Sequence, residues 1–141
     1  MESKYFDDPA VALDVFVETF ARAAKDEEVL KSIETMDELV YFDLTKSDPS
    51  IAFHLDTRDG KRIIAVGNPQ GERPDITLSL SVDTAHKAWS DQINPVMAVA
   101  TGKMRAKGNQ VTLLKLAPLL KLITPIYNQV LDDRGLSHIK F

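Results

Sequence analysis

Cysteine is missing from all 141 residues, which excludes a disulfide framework, a thiolate nucleophile and a thiolate metal site, and which suits a reducing compartment. An excess of positive charge is missing too. The formal net charge is −4 and the sequence pI about 5.3, so no overall field draws the chain toward nucleic acid. No stretch is apolar and unbroken enough to span a membrane, because Lys115, Pro118, Lys121 and Pro125 divide the greasiest one, Val111 to Leu131. The amino end, MESKYFDDPA, lacks the charged, apolar and small-residue blocks of a secretion signal, and the expected location is cytoplasmic. Repeats, low-complexity tracts and an interdomain linker are also wanting. At 44% apolar content the expectation is a single domain over residues 1–141 with a sizeable core.

Catalytic signatures are scarce as well. His54, His86 and His138 fall in different elements without metal-ligand spacing, and no nucleophile elbow frames a serine. Gly67 to Gly71, GNPQG, lacks the Lys-Ser or Lys-Thr and the strand-to-helix setting of a phosphate loop, and reads as a glycine-rich hairpin. The expectation is a protein that is not an enzyme and holds no cofactor or metal.

What is present is a clear succession of periods. Asp8 caps a helix opened by Pro9, with Leu13, Phe16, Val17, Phe20 and Ala24 at helical spacing to about Lys25, and a short acidic helix follows to about Thr35. From Leu39 to Leu80 the period falls to two. The turn clusters Ser47-Asp48-Pro49, Thr57-Arg58-Asp59-Gly60 and Gly67-Asn68-Pro69-Gln70-Gly71 divide this region into a meander of four strands. In ITLSLSV, Ile76, Leu78 and Leu80 share one face while Thr77, Ser79 and Ser81 share the other, so the sheet is covered on one side and wet on the opposite one. Asp83 is the expected cap of a helix carrying Ala88 and Trp89, and another short helix starts near Pro95. A fifth strand spans Lys103 to Lys107. Thr124 and Pro125 are expected to open a last helix ending at Gly135, with Arg134 near its negative end.

The stretch INPVMAVATGKMRAKGN places Asn94 and Pro95 ahead of Ala98, then Gly102-Lys103, an alternating strand, and Gly108-Asn109 opening a helix. In this pattern and in its order of elements, matched loosely from about Leu39 to Gly135, the chain resembles the sterol carrier protein two family of lipid-binding domains. Asp91 and Gln92 stand where that family often carries a Gly-Lys pair, and Ala106 stands where it carries a larger branched residue. The resemblance implies an α+β fold: a five-stranded, mostly antiparallel sheet with helices on one face, enclosing an apolar tunnel. It also implies a ligand such as a fatty acid, acyl-CoA or sterol. Composition and spacing do not by themselves show the tunnel.

The residues agree in kind. Leu113, Leu114, Leu116, Ala117, Leu119, Leu120, Leu122 and Ile123 put more apolar surface on the tail than one helix face needs, so several faces are expected to avoid water, in a cavity, a solid core or a dimer interface. Burying roughly 400 Å² of a lipid chain at about 25 cal/mol per Å² is worth about 10 kcal/mol before entropy costs. The expected ligand-binding residues are Phe53, Leu55, Ile64, Val66, Ile76, Leu78, Leu80, Trp89, Met97, Met104, Leu116, Leu120, Ile123 and Tyr127, the strand members by alternation and the helical ones by crowding. The methionines adapt to guests of differing shape, and the Tyr127 hydroxyl either anchors a headgroup or is satisfied within the protein. Lys103, Arg105 and Lys107 share one face of their strand, where they guard an edge against mispairing or make transient contact with an anionic membrane surface. The expected function is non-enzymatic binding and transfer or presentation of a long-chain lipid by a monomer or weak homodimer. The alternative is an interaction or dimerisation module using the apolar C-terminal helices.

Overall fold

A computed structural model describes residues 3–44 and 50–141. Helix α1 (Pro9–Ala23) starts where the Asp8 carboxylate accepts from Ala10 N at 2.9 Å, and it buries Ala12, Val15, Phe16, Thr19, Phe20 and Ala23 along one side. Helix α2 (Glu27–Glu34) is capped in the same way by Asp26 and buries Val29 and Ile33. Strands β1 (Leu39–Leu44), β2 (Ile51–Asp56) and β3 (Ile63–Val66) then pair antiparallel in succession. The Ser47-Asp48-Pro49 turn lies outside the described residues. Between β2 and β3 the chain reverses through Asp59 and Gly60, both at positive φ (54° and 74°), a conformation that aspartate and glycine tolerate best.

The expected four-strand meander stops at three strands. Strand β4 (Ile76–Leu80) runs parallel to β1 on its far side, giving the order β3-β2-β1-β4-β5, in which only the β1–β4 pair is parallel. GNPQG is accordingly no hairpin, since the strands it joins are not neighbours. The physical reason sits at Asp75. Its N–H donates to Leu39 O at 2.9 Å and its carboxylate accepts from Leu39 N at 2.7 Å, so the start of β4 is pinned to the start of β1 rather than to β3. The intervening segment is held by His54, whose Nδ1 lies 2.9 Å from Gly67 O, and by Glu72, which pairs with Arg58. The Arg58 guanidinium also grips Asp56 and holds that carboxyl below the usual carboxylate range.

Helix α3 (Val82–Trp89) is capped by Ser81, whose Oγ accepts from Thr84 N at 3.1 Å, not by Asp83. Asp83 lies inside the first turn and instead receives Lys4 N at 3.0 Å and the Ser3 hydroxyl. Past the helix end the chain turns at Asp91, whose φ of 58° is left-handed. Asn94 and Pro95 open α4 (Pro95–Ala100), with Asn94 Oδ1 accepting from Val96 N at 2.8 Å.

Strand β5 (Met104–Gly108) pairs antiparallel with β4. Helix α5 (Val111–Asp133) then runs through Pro118 and Pro125 without a break, against the expectation of a division at Thr124. Both prolines lie on its exposed side, so the Leu114 and Lys121 carbonyls that lose an N–H partner face water, which satisfies them. The Thr124 hydroxyl lies 3.1 Å from Leu120 O and 2.9 Å from Trp89 O, within reach of donating to either, and caps nothing. Gly135 ends the helix at φ 70°, and Leu136 N closes it on Leu131 O at 2.8 Å.

Candidate functional site

The inner face of the sheet is apolar by strict alternation. Val40, Phe42 and Leu44 on β1, Ile51, Phe53 and Leu55 on β2, and Ile76, Leu78 and Leu80 on β4 are all buried, whereas Tyr41, Asp43, His54, Thr77 and Ser79 between them are half-exposed. Over this face lies α1, and α5 packs against α1, α2, α3 and α4. Helix α5 sends Leu113, Leu116, Leu119, Leu120, Ile123, Tyr127, Val130 and Leu131 inward. At the centre Trp89 is edge-to-face or nearly so with Phe16, Phe20 and Phe42, at centroid separations of 5.9, 5.3 and 5.7 Å, and Phe42 stacks on Phe53 at 4.7 Å.

Of the fourteen residues expected to bind ligand, Phe53, Leu55, Ile76, Leu78, Leu80, Trp89, Met104, Leu116, Leu120, Ile123 and Tyr127 are each at most 3% exposed and belong to one contiguous core, with Ile64 packed at its margin. Two do not join them. Val66 shares the Phe53 face in register, but it ends the edge strand and stands 62% exposed, and Met97 points from α4 into solvent at 57%. The greasy tail is also less buried than its composition suggests, since Leu114 is 65% exposed and Val111 and Leu122 are exposed beside it. Phe16, Phe20 and Phe42 were not among the expected lining residues. The signal for Phe42 was available, because it alternates with Val40 and Leu44 as Leu78 does with Ile76 and Leu80.

The described residues do not present the tunnel as a standing void. The eleven side chains exposed by so little border no space that admits water. A recess of about 230 Å³ lies elsewhere, between the end of α2 and the β2–β3 turn, lined by Ile33, Glu34, Thr57, Gly60, Lys61 and Arg62 and by none of the fourteen.

A polar constellation centred on His86 lies within this core. His86 Nε2 stands 2.9 Å from Ile139 O and its Nδ1 stands 2.6 Å from the Tyr127 hydroxyl. A carbonyl only accepts, so Nε2 carries the proton and Nδ1 accepts from Tyr127. The Tyr127 hydroxyl is therefore satisfied within the protein. Burial pushes its pKa up and that of His86 down, favouring the neutral form of each. Tyr5, Phe6 and Phe141 pack around the imidazole, so one side chain gathers both chain ends.

The stretch Asn94 to Asn109 acts as scaffolding around this core. Asn94 and Asn109 turn their side chains to the first N–H groups of the helices they precede, and Ala98 is fully buried. Gly102 sits at φ 76° between α4 and β5. Met104 faces inward, while Lys103, Arg105 and Lys107 are exposed, as alternation required.

The sequence matches the model of the SCP-2 sterol transfer family over residues 17–121. It is 30% identical to hydroxysteroid dehydrogenase-like protein 2 of Bos taurus over 112 residues, which cover 79% of this chain and 26% of that protein. The human protein of the same name is 30% identical over 106 residues, covering 73% of this chain and 24% of its own length. The chain thus spans about a quarter of the length of the curated relatives it matches. Among solved structures, sterol carrier protein 2 of Yarrowia lipolytica in its apo form superposes with a TM-score of 0.62 at 21% identity, over 87% of this chain and 96% of that one. Sterol carrier protein 2 like 2 of Aedes aegypti gives 0.61 at 13% identity, over 79% and 98%. These structures share its fold.

Proposed function

The chain belongs to the SCP-2 sterol transfer family, and from that membership we propose that it binds a long-chain lipid such as a fatty acid, an acyl-CoA or a sterol-like molecule and transfers or presents it without altering it chemically. One observation carries the reading: the family match coincides with a sheet face and with helices α1 and α5 that together enclose one contiguous, mainly apolar core. Binding then rests on apolar burial with few polar contacts. The reactive side chains of the core speak for carriage over catalysis, since both nitrogens of His86 and the Tyr127 hydroxyl are already engaged with one another and with the backbone.

The test is native mass spectrometry of the purified protein together with titration of a fluorescent sterol or fatty acid. Saturable uptake at one guest per chain, or a co-purifying lipid, is expected, and a protein that takes up neither is no carrier.

The cationic face of β5 supports a docking role toward an anionic bilayer. Arg105 and Lys107 are exposed on this edge strand and Lys103 immediately before it, beside α4 with its exposed Met97 and Val96. Reversing all three to glutamate is expected to slow transfer to anionic vesicles at least tenfold at low salt and to leave transfer to neutral vesicles unchanged. An equal effect on both vesicle types removes this role.

The exposed side of α5 favours a second reading, association of two copies through Leu114 and Leu122. Sedimentation across a hundredfold range of concentration separates the two, because a module of that kind dimerises and takes up no lipid.

A further inference from the structure

Among the described residues the buried polar atoms without a partner include Thr112 Oγ1 and Asn128 Oδ1, and the indole N–H of Trp89 is the one ringed by the central aromatic side chains. The residue is 1% exposed, and among the described residues nothing accepts from Nε1. The three phenyl rings about it, those of Phe16, Phe20 and Phe42, offer at most a π face, a weak substitute for an oxygen. Nearly all buried donors in folded proteins are paired, so an orphan at the centre of a core asks for an explanation. The backbone at Trp89 is tied to α5, since the Thr124 hydroxyl reaches the Trp89 carbonyl at 2.9 Å. Its neighbour in the chain, Ser90, is buried with an unpartnered Oγ.

We propose that Trp89 Nε1 is a polar anchor for the guest, donating a hydrogen bond to an uncharged oxygen of the lipid, of the kind found in an ester, a ketone or a hydroxyl. This rests on the carrier reading and narrows it. An indole N–H only donates, so its partner must accept. The oxygen must be uncharged because the buried ionisable groups among the described residues are Glu38, Asp56, His86 and Tyr127, two acids, an imidazole and a phenol, with no lysine or arginine to pair a carboxylate. A fatty acid bound here keeps its carboxylate outside the core, whereas an esterified or alcoholic lipid places its oxygen beside the indole.

The chain has one tryptophan, so its indole N–H gives a single assigned resonance in nitrogen-15 NMR. The full-length protein is titrated with methyl palmitate, with heptadecane and with palmitate, each delivered from cyclodextrin. Methyl palmitate is expected to move that resonance downfield and to bind about tenfold tighter than heptadecane, the worth of one hydrogen bond made to an otherwise unpaired donor. Heptadecane and palmitate leave the resonance without a downfield shift. Trp89→Phe keeps an apolar ring and is expected to bind heptadecane as before while losing the preference for the ester. Should Trp89→Phe fail to fold, the wild-type shift decides alone. Equal binding of ester and hydrocarbon, or an ester preference that survives in Trp89→Phe, overturns the anchor and leaves the carrier standing. A downfield shift with palmitate overturns the requirement for an uncharged oxygen. If none of the three binds, the anchor falls, and if the fluorescent sterol is not taken up either the carrier reading falls with it.

Discussion

Replacing Gly108 by alanine lowers the stability of the protein by about 3 kcal/mol, a drop in melting temperature of roughly 10 °C for a chain of this length. Two costs combine at this position. The backbone φ is 118°, a conformation that L side chains rarely adopt, and a Cβ added there falls 2.3 Å from the Asp75 carbonyl oxygen and 3.0 Å from Ile76 Cα. The obstacle is backbone and cannot swing aside. That carbonyl also accepts from Asn109 N at 2.8 Å, so relieving the clash parts β4 from the end of β5 and loosens the start of α5. Gly102→Ala is the control: its φ of 76° is also left-handed, but nothing lies within 4 Å of the added Cβ, and the expected cost is about 1 kcal/mol. Thermal or urea unfolding of the two variants checks the difference. Equal losses would mean that the approach of Asp75 does not decide this position.

Acidification from pH 6.5 downward destabilises the protein through His86, by up to about 1.4 kcal/mol per pH unit while the group differs in protonation between the two states. Burial lowers the folded-state pKa of this imidazole, so below about pH 6.5 the unfolded chain binds a proton that the folded one refuses, and stability rises with pH across that window. Its contribution is complete above the unfolded pKa and falls away as pH drops toward the folded one. The surroundings divide: the nearby charge of Asp83 and the Ile139 carbonyl favour the charged ring, whereas desolvation, the larger effect, and Lys87 oppose it. When the ring does protonate, Nδ1 becomes a donor and the Tyr127 hydroxyl must turn to accept, in a site packed by Tyr5, Phe6 and Phe141. The first consequence is a weaker hold on both chain ends. His86→Leu is less stable at pH 7, since it strands the Tyr127 hydroxyl and the Ile139 carbonyl, but its stability is flat between pH 5 and 6.5. A variant that kept the wild-type slope would assign the titration elsewhere. The Asp56 and Asp132 carboxyls do not interfere, because both titrate below the usual carboxylate range, held down by Arg58 and by Lys140 respectively.

Helix starts and strand faces follow from local sequence. Asp8-Pro9 and Asn94-Pro95 announced their helices because capping and a preset φ operate within three residues. Met104 inward and Lys103, Arg105 and Lys107 outward followed from the pleat alone, as did the buried parity of Ile76, Leu78 and Leu80. The apolar content of the interior was legible for the same reason, since eleven of the residues expected to line a site lie in the buried core.

Partnership was not legible. Whether β4 follows β3 or crosses to β1 depends on Asp75 meeting Leu39, residues far apart in the chain, and turn composition between strands carries no record of that. Helix α5 survives two prolines only because both happen to face water, a fact set by which side of the helix the core claims. Likewise Met97 and Val66 have the chemistry of lining residues, and only the absence of a covering element leaves them exposed. His86 and Tyr127 read as unrelated polar residues until α3 and α5 pack together and close the bond between them. The sequence by itself determined the elements, their buried faces and the apolar character of the interior, because each depends on neighbours within a turn or a pleat. The tertiary structure decided strand order, helix continuity and the state of every buried polar group, because those depend on contacts between segments whose separation in sequence says nothing of their distance in space.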